Sequence, residues 1–249
     1  MTHPSESGRF YWPDGRPAYE VQGAKGMVAP DIRHAKKLGL LPSVTTIIGE
    51  AAKPGLEHWK VRQGILSALT LPQNEGESLD AFADRVMLDS KEQAKKAAER
   101  GTAIHAAIQD YYETGSSILM PEYVLPVEKA LMDWATVICD LYPEKSFASP
   151  LGFAGKVDLS GEHYVLDFKT KEFADTDKKL AWDEHCIQLS AYRVGLDLPD
   201  AVCANVFVSV NNPGLVHIHE WTEEQLQRGW KMFCALKDYY YARTGLQRA

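Results

Sequence analysis

Residues 152–171 read GFAGKVDLSGEHYVLDFKTK, and the fold turns on how this stretch is parsed. Residues 153–159 form one apolar-rich run, Ser160-Gly161-Glu162-His163 supplies turn chemistry, and Tyr164–Phe168 is a second run with aromatic and β-branched side chains. The pattern predicts a β-hairpin. Alternate residues of a strand share a face, so Asp167 and Lys169 point the same way, and Asp158 lies upstream on the partner strand. Folding back on the short turn brings the two carboxylates within a divalent cation's reach of one another. Val165, Leu166 and Phe168 mark the second strand as buried, where an Asp and a Lys are costly unless paired or bound to metal. The plainer reading is a solvated Asp–Lys pair on an edge strand, the ordinary state of charged side chains.

Upstream of the hairpin, residues 9–21 (RFYWPDGRPAYEV) read as a small hairpin about Pro13-Asp14-Gly15, and 22–41 as loop. Pro42–Ile48 opens a short helix capped by Ser43 or Thr45. Pro54 starts a helix over 54–70 with Trp59, Ile65, Leu66 and Leu69 as its apolar positions. After a polar break at 71–77, Ser78–Thr114 carries the longest helical pattern. Leu79, Phe82, Val86, Ala94 and Ala97 mark its apolar face, Lys91, Lys95, Lys96 and Arg100 a basic one, and Gly101 a point where it bends or splits. A further helix is expected over 122–140, ended by Pro143, with the hairpin beginning near Phe147.

Downstream, 178–196 reads as a helix, and 202–210 and 215–220 as strands joined by Asn211-Asn212-Pro213-Gly214. Thr222 caps a C-terminal helix that carries Leu226, Trp230, Phe233, Leu236 and Tyr240 at helical spacing. This order predicts an α/β fold with a helical N-terminal elaboration. Residues 1–77 are expected as that elaboration, packed on the core in one compact domain overall.

The chain has 249 residues, 45% hydrophobic and 24% charged, which is ordinary for a globular domain with a real core. No apolar run approaches the ~20 residues that span a bilayer, and MTHPSESGRF lacks the apolar segment of a secretory leader. Cys139, Cys186, Cys203 and Cys234 form no C-x-x-C pair, which argues against zinc or iron–sulfur ligation. They read as buried reduced thiols, so the expected setting is the cytoplasm of a bacterial or phage-infected cell or another reducing compartment, with no membrane and no secretion. The net charge of −7 speaks against a nucleic-acid binder at first sight. Acidic metal clusters lower net charge, however, and phosphate contacts need only a local groove of Lys and Arg.

Four signals stand in order along the chain: Gly101-Thr102-Ala103-Ile104-His105, Gly155-Lys156-Val157-Asp158, Asp167-Phe168-Lys169-Thr170 and Gln188-Leu189-Ser190-Ala191-Tyr192. Together they resemble the PD-(D/E)XK nuclease superfamily, specifically its RecB-like exonuclease branch, over about 95–195. Val157 departs from the proline of the family name. The segment Pro42-Ser43-Val44-Thr45 is also similar to the N-terminal part of the mitochondrial genome maintenance exonuclease and phage exonucleases of that branch.

The resemblance implies a restriction-endonuclease-like core over 78–249, a mixed central sheet flanked by helices, whose site holds one or two Mg²⁺ or Mn²⁺ ions. It implies Asp158 and Asp167 as carboxylate ligands, the Phe168 backbone carbonyl as a further ligand, and His105 as the extra ligand of this branch. Glu144, ahead of the hairpin, is left open as a ligand of a second ion. Lys169 would orient the attacking water or stabilise the developing charge, and Gln188 and Tyr192 would hold the substrate strand or the catalytic pair. Thr170, Lys171, Ser43 and Thr45 would contact the substrate. Trp182, and with it Trp59, would either stack on bases of single-stranded DNA or belong to the core. The chemistry is coherent: a divalent ion lowers the pKa of water and screens charge at phosphorus, Mg²⁺ takes hard oxygen ligands, and imidazole suits Mn²⁺.

The function this implies is a metal-dependent deoxyribonuclease, an exonuclease on single-stranded DNA ends in recombination, repair or replication, with DNA as its partner and recombination or replication proteins as further candidates. The helical N-terminal part would arch over the site and favour free ends. The alternatives are a structure-selective endonuclease and a non-catalytic DNA-binding recombination partner that retains the fold. No G-x-x-x-x-G-K-[ST] motif is present, so no nucleotide-driven motor is expected.

Overall fold

The computed structural model describes residues 8–135, 140–177 and 179–247, apart from the Pro54 side chain. Its elements run β1 (Phe10–Tyr11), β2 (Val21–Gly23), β3 (Gly26–Val28), α1 (Ile32–Leu38), β4 (Leu41–Pro42), α2 (Val44–Ile48), α3 (Pro54–Thr70), α4 (Leu79–Thr114), α5 (Pro121–Trp134), β5 (Tyr142–Ser149), β6 (Phe153–Ser160), β7 (Tyr164–Lys171), α6 (Asp183–Gly195), β8 (Val202–Ser209), β9 (Val216–Glu220) and α7 (Glu223–Thr244). The protein is α/β. Its main sheet has the order β5-β6-β7-β8-β9, antiparallel throughout except for the parallel β7–β8 pair. A parallel pair needs a long crossover, and α6 provides it.

The sequence of β7 explains the layering. Leu166 and Phe168 face one way and pack with Ala204, Val206 and Val208 of β8 against Ile104, Ala107 and Ile108 of α4 and Tyr123, Val124, Val127 and Leu131 of α5. Val165 and Cys203 face the other way, against Cys186, Ile187 and Leu189 of α6 and Leu226 and Phe233 of α7. The sheet is buried on both faces, so β7 and β8 read as near-continuous apolar runs interrupted by a few polar residues. Asp167, Lys169 and Asn205 are among those interruptions.

Two compact units are present. One contains the chain up to Glu50 and from Ile104 onward, and the other is Ala51–Ala103. The expected boundary at 77/78 therefore falls inside the second unit, and the N-terminal segment divides at Glu50. Within the first unit, β1 pairs with β4, and Ser43 bridges Ala154 at the start of β6. The expected 9–21 hairpin is present in short form, an antiparallel Tyr11–Pro17 bridge flanked by Trp12 N–H to the Arg16 carbonyl at 2.9 Å and Ala18 N–H to the Phe10 carbonyl at 2.8 Å.

Several other expectations shift. Residues 22–41 are a β2–β3 hairpin and α1, whose N-terminus is capped by the Asp31 side chain. Elements this short leave no readable periodicity. Gly101 does not interrupt α4. Helix α5 stops at Trp134, residues 136–139, including Cys139, lie outside those described, and Pro143 sits within β5 rather than ending a helix. An edge strand tolerates that proline because one side of it needs no ladder donor. Helix α6 begins at Asp183, later than expected, and Lys178 lies outside the described residues. Ser43, not Thr45, caps α2, accepting from the Thr46 N–H at 3.0 Å. The apolar positions of α3 are exposed, Leu69 most of all at 78%. Cys186 and Cys203 are buried free thiols and Cys234 is half-buried. No helix among the described residues is long and apolar enough to cross a membrane.

Candidate active site

Strands β6 and β7 pair through only two steps, Leu159 with Leu166 and Ser160 with Val165. One step further the register sets Asp158 opposite Asp167, and there the backbone ladder gives way to a side chain. Asp158 Oδ2 accepts the Phe168 backbone N–H at 2.8 Å. A carboxylate thus replaces a carbonyl at the point where the sheet forks, and it satisfies a donor that would otherwise be orphaned. The Asp158 side chain is 22% exposed and Asp167 only 2%. One carboxylate is reachable from solvent and the other is walled in.

Asp167 is held by three side chains. Lys169 Nζ lies 2.8 Å from Oδ1 and 2.6 Å from Oδ2. Gln188 Nε2 donates to Oδ1 and Asn205 Nδ2 to Oδ2, each at 2.8 Å. Gln188 Oε1 in turn accepts from Lys169 Nζ at 3.2 Å, and its amide N–H also reaches Tyr192 Oη at 2.9 Å. The i, i+4 spacing of Gln188 and Tyr192 puts both on the face of α6 that meets the sheet. Gly155 makes that approach possible, since a Cβ there would stand 2.9 Å from both Tyr192 Cε1 and Phe147 Cε1. Behind Asn205, the Trp221 indole N–H donates to Asn205 Oδ1 at 2.8 Å.

Burial pushes the Asp167 carboxyl above the ordinary carboxylate range; the Lys169 ammonium pulls against it and the Asp158 charge adds to it. Burial pulls Lys169 down, but the Asp167 and Asp158 carboxylates outweigh this and hold it above the usual lysine value, so it stays an ammonium. Burial, assisted by Asp167, drives the Tyr192 phenol well up. His185, on the first turn of α6, is pushed down to about 4 by burial and by the Lys169 charge.

His105 on α4 stands with Nδ1 3.7 Å from Asp158 Oδ2, its ring edge-on to Phe168. Glu144 on β5 lies beside Asp158, between Pro143, which pairs with Leu159, and Lys145, which pairs with Val157. Its backbone is left-handed, with φ 54°, and its carboxylate contacts the Lys156 ammonium. Burial raises its pKa, Lys156 opposes, and Asp158 adds to the rise.

The hairpin, α4 and α6 therefore bring together Asp158, Asp167, Lys169, Gln188, Tyr192 and His105, with Glu144 at the margin. Other expected residues are placed differently. Ser43 is buried and its hydroxyl serves the α2 cap, while Thr45 is exposed beside it. The Lys171 ammonium donates to the Leu180 carbonyl at 2.8 Å and lies over the Phe207 ring, which ties it to the protein. Thr170 is half-buried on the same strand end. Trp182 is 44% exposed with Lys179 over its ring, and Trp59 is 39% exposed, so neither belongs to the core.

Asn205 and Trp221 were not legible as site residues. The only signal was a polar side chain in the middle of an apolar strand, and nothing in the sequence says that β8 lies parallel beside β7 with Asn205 level with Asp167.

Among the described residues no three His, Cys, Asp or Glu side chains gather into a group that could hold a metal ion. The donors available to a cation are Asp158 and the neighbouring His105. The Asp167 oxygens are engaged by Lys169, Gln188 and Asn205. Asp158 with the His105 imidazole beside it offers oxygen and nitrogen donors of the kinds a divalent ion takes.

No family model matches this sequence, and no curated protein matches it. The crystal structure of SSO0001 is similar to it at 14% identity and a TM-score of 0.32, over 73% of this chain and 86% of that one, a likeness too slight to bear on fold or function.

Proposed function

We propose that this protein is a metal-dependent deoxyribonuclease of the PD-(D/E)XK type, acting as an exonuclease on single-stranded DNA ends. The observation that carries the reading is the Asp167–Lys169 pair, 2.6 Å apart, opposite Asp158 at the fork of β6 and β7. A buried ion pair contributes little to stability, so a pair set against a second carboxylate points to chemistry. Asp158 and Asp167, with His105, would hold Mg²⁺ or Mn²⁺, which supplies an activated water and charge screening at phosphorus.

The chain's own residues supply the rest. Lys169 stays protonated, so it does not act as a general base at neutral pH; it stabilises negative charge on the phosphoryl oxygens. Gln188 fixes both Asp167 and Lys169 and so sets the angle between them. Asn205 holds the far oxygen of Asp167 and keeps the carboxylate from turning. The exonuclease preference and the DNA substrate rest on the resemblance, as do recombination, repair or replication proteins as partners.

End-labelled single- and double-stranded DNA incubated with Mg²⁺ or Mn²⁺, wild type beside Asp167→Ala, tests the reading. Labelled mononucleotides or short ends from wild type alone support it, defined internal fragments support a structure-selective endonuclease, and no cleavage by either protein refutes it. A non-catalytic DNA-binding partner is the second reading. It is favoured by the engagement of both Asp167 oxygens by protein donors, and it requires DNA binding that persists without metal and without cleavage.

A further inference from the structure

The Ala51–Ala103 unit carries an exposed stripe on α4 that the nuclease reading leaves unused. Asp80, Asp84, Met87, Leu88, Lys91 and Lys95 fall on one side of the helix, at steps of three, four and seven residues that span roughly 100° of its circumference. All six are exposed, Met87 at 55% and Leu88 at 62%. Of the four charged side chains, only Lys95 has a charged partner among the described residues, Glu99 at 3.7 Å in the same helix. Two carboxylates precede the apolar pair and two ammonium groups follow it. Asp84 and Lys91 are equidistant from the midpoint between Met87 and Leu88, and so are Asp80 and Lys95.

A sequence with that symmetry is complementary to itself in one orientation only. An antiparallel neighbour related by a two-fold axis at Met87–Leu88 sets Asp80 against Lys95 and Asp84 against Lys91, each pair occurring twice, with the apolar side chains meeting at the axis. A parallel neighbour sets carboxylate against carboxylate and ammonium against ammonium. Isologous contacts of this kind are the commonest way identical chains associate, and like-charge juxtaposition excludes the wrong alignment.

We infer that this face of α4 is a self-association surface, occupied by a second copy of the same chain in antiparallel register about Met87 and Leu88. The charges fix the register and the apolar centre supplies burial. Exposed ion pairs are individually weak and screened by salt, so the dimer is a reversible one that weakens as ionic strength rises.

The test uses full-length protein in sedimentation velocity at low and high salt, with helix content followed by circular dichroism. Wild type is expected to show a concentration-dependent dimer at low salt. Asp80→Lys/Asp84→Lys carries a wholly basic stripe and Lys91→Glu/Lys95→Glu a wholly acidic one. Each alone is expected to self-associate at least about tenfold more weakly than wild type with unchanged helix content. Mixing the two restores a heterodimer at least as tight as the wild-type dimer. A wild type that stays monomeric across the concentration range overturns the inference, as does a 1:1 mixture of the two variants that fails to associate. Met87→Ser/Leu88→Ser, which keeps every charge, is expected to weaken the dimer; undiminished association overturns the placement of the axis. None of these readouts involves cleavage of DNA.

Discussion

Asp158 Oδ2 accepts the Phe168 N–H at 2.8 Å, one step beyond the last ladder pair of β6 and β7. The same carboxylate is therefore both a structural cap at the strand fork and the solvent-reachable acid of the site. The two roles separate by substitution. Asp158→Ala orphans the Phe168 donor and is expected to lower unfolding free energy by about 1–3 kcal/mol. Asp158→Asn keeps an acceptor oxygen and is expected to cost less than half of that while abolishing hydrolysis. Urea unfolding and the end-labelled DNA assay measure the two. An Asp158→Asn protein that cuts at the wild-type rate would remove the Asp158 charge from the reaction.

The Lys169–Asp167 pair gives a prediction with a pH sign. Lys169→Met leaves a carboxyl that is already raised by burial without its ammonium, so its folded-state pKa climbs further above the unfolded value of about 4. A group raised in this way stabilises the fold below its unfolded pKa and loses that contribution as pH rises through the folded one. The variant's stability deficit relative to wild type is expected to be about 3 kcal/mol near neutral pH and to shrink toward pH 4. A deficit that is flat across this range in thermal unfolding contradicts the electrostatic account.

Asn205 links Asp167 to Trp221 through two hydrogen bonds of 2.8 Å. Asn205→Leu removes one donor from Asp167 and strips the buried indole N–H of its acceptor, a loss of about 2–3 kcal/mol. Trp221→Phe leaves the Asn205–Asp167 bond in place but removes the outer bond and opens a cavity, and is expected to cost about 2–3 kcal/mol. If Asn205 orients the carboxylate, Asn205→Leu lowers cleavage far more than Trp221→Phe does. Equal activity losses at equal stability would mean that the chain acts on the fold alone.

His185 is held down to about 4, against 6.5 when free. The unfolded chain takes up a proton between these values and the folded chain does not, so stability rises with pH over this window and is lost as pH falls from about 6.5 to about 4. The magnitude is on the order of 3 kcal/mol. Proton NMR of the metal-free protein is expected to find this imidazole neutral at pH 5, and His185→Gln is expected to flatten the acid limb of the stability curve. A midpoint near 6.5 in the folded protein contradicts the burial argument.

Alternation along 152–171 was enough to announce β6, the turn and β7, and to put Asp167 and Lys169 on a common face. The helical spacing of Gln188 and Tyr192 put both on one face of α6, and the resemblance turned that face toward the pair. Short elements were lost, because three residues of β2 or β3 cannot display a period. The division into units at Glu50 and within α4 left no mark in the sequence, because the return falls inside a single unbroken helical pattern where composition does not change. Lys171 resembled a phosphate contact in sequence, yet it is turned onto Phe207 and the Leu180 carbonyl by a loop whose path no local rule specifies.

By itself, then, the sequence determined the strand periodicity and the residues available to a site, because side-chain direction follows from backbone geometry one residue at a time. Only the tertiary structure decided what those residues touch. The parallel placement of β8 beside β7 brings Asn205 to Asp167, and the crossover of α6 brings Gln188 to Lys169. Both are contacts between segments distant in the chain, fixed by which faces bury together and not by any local preference.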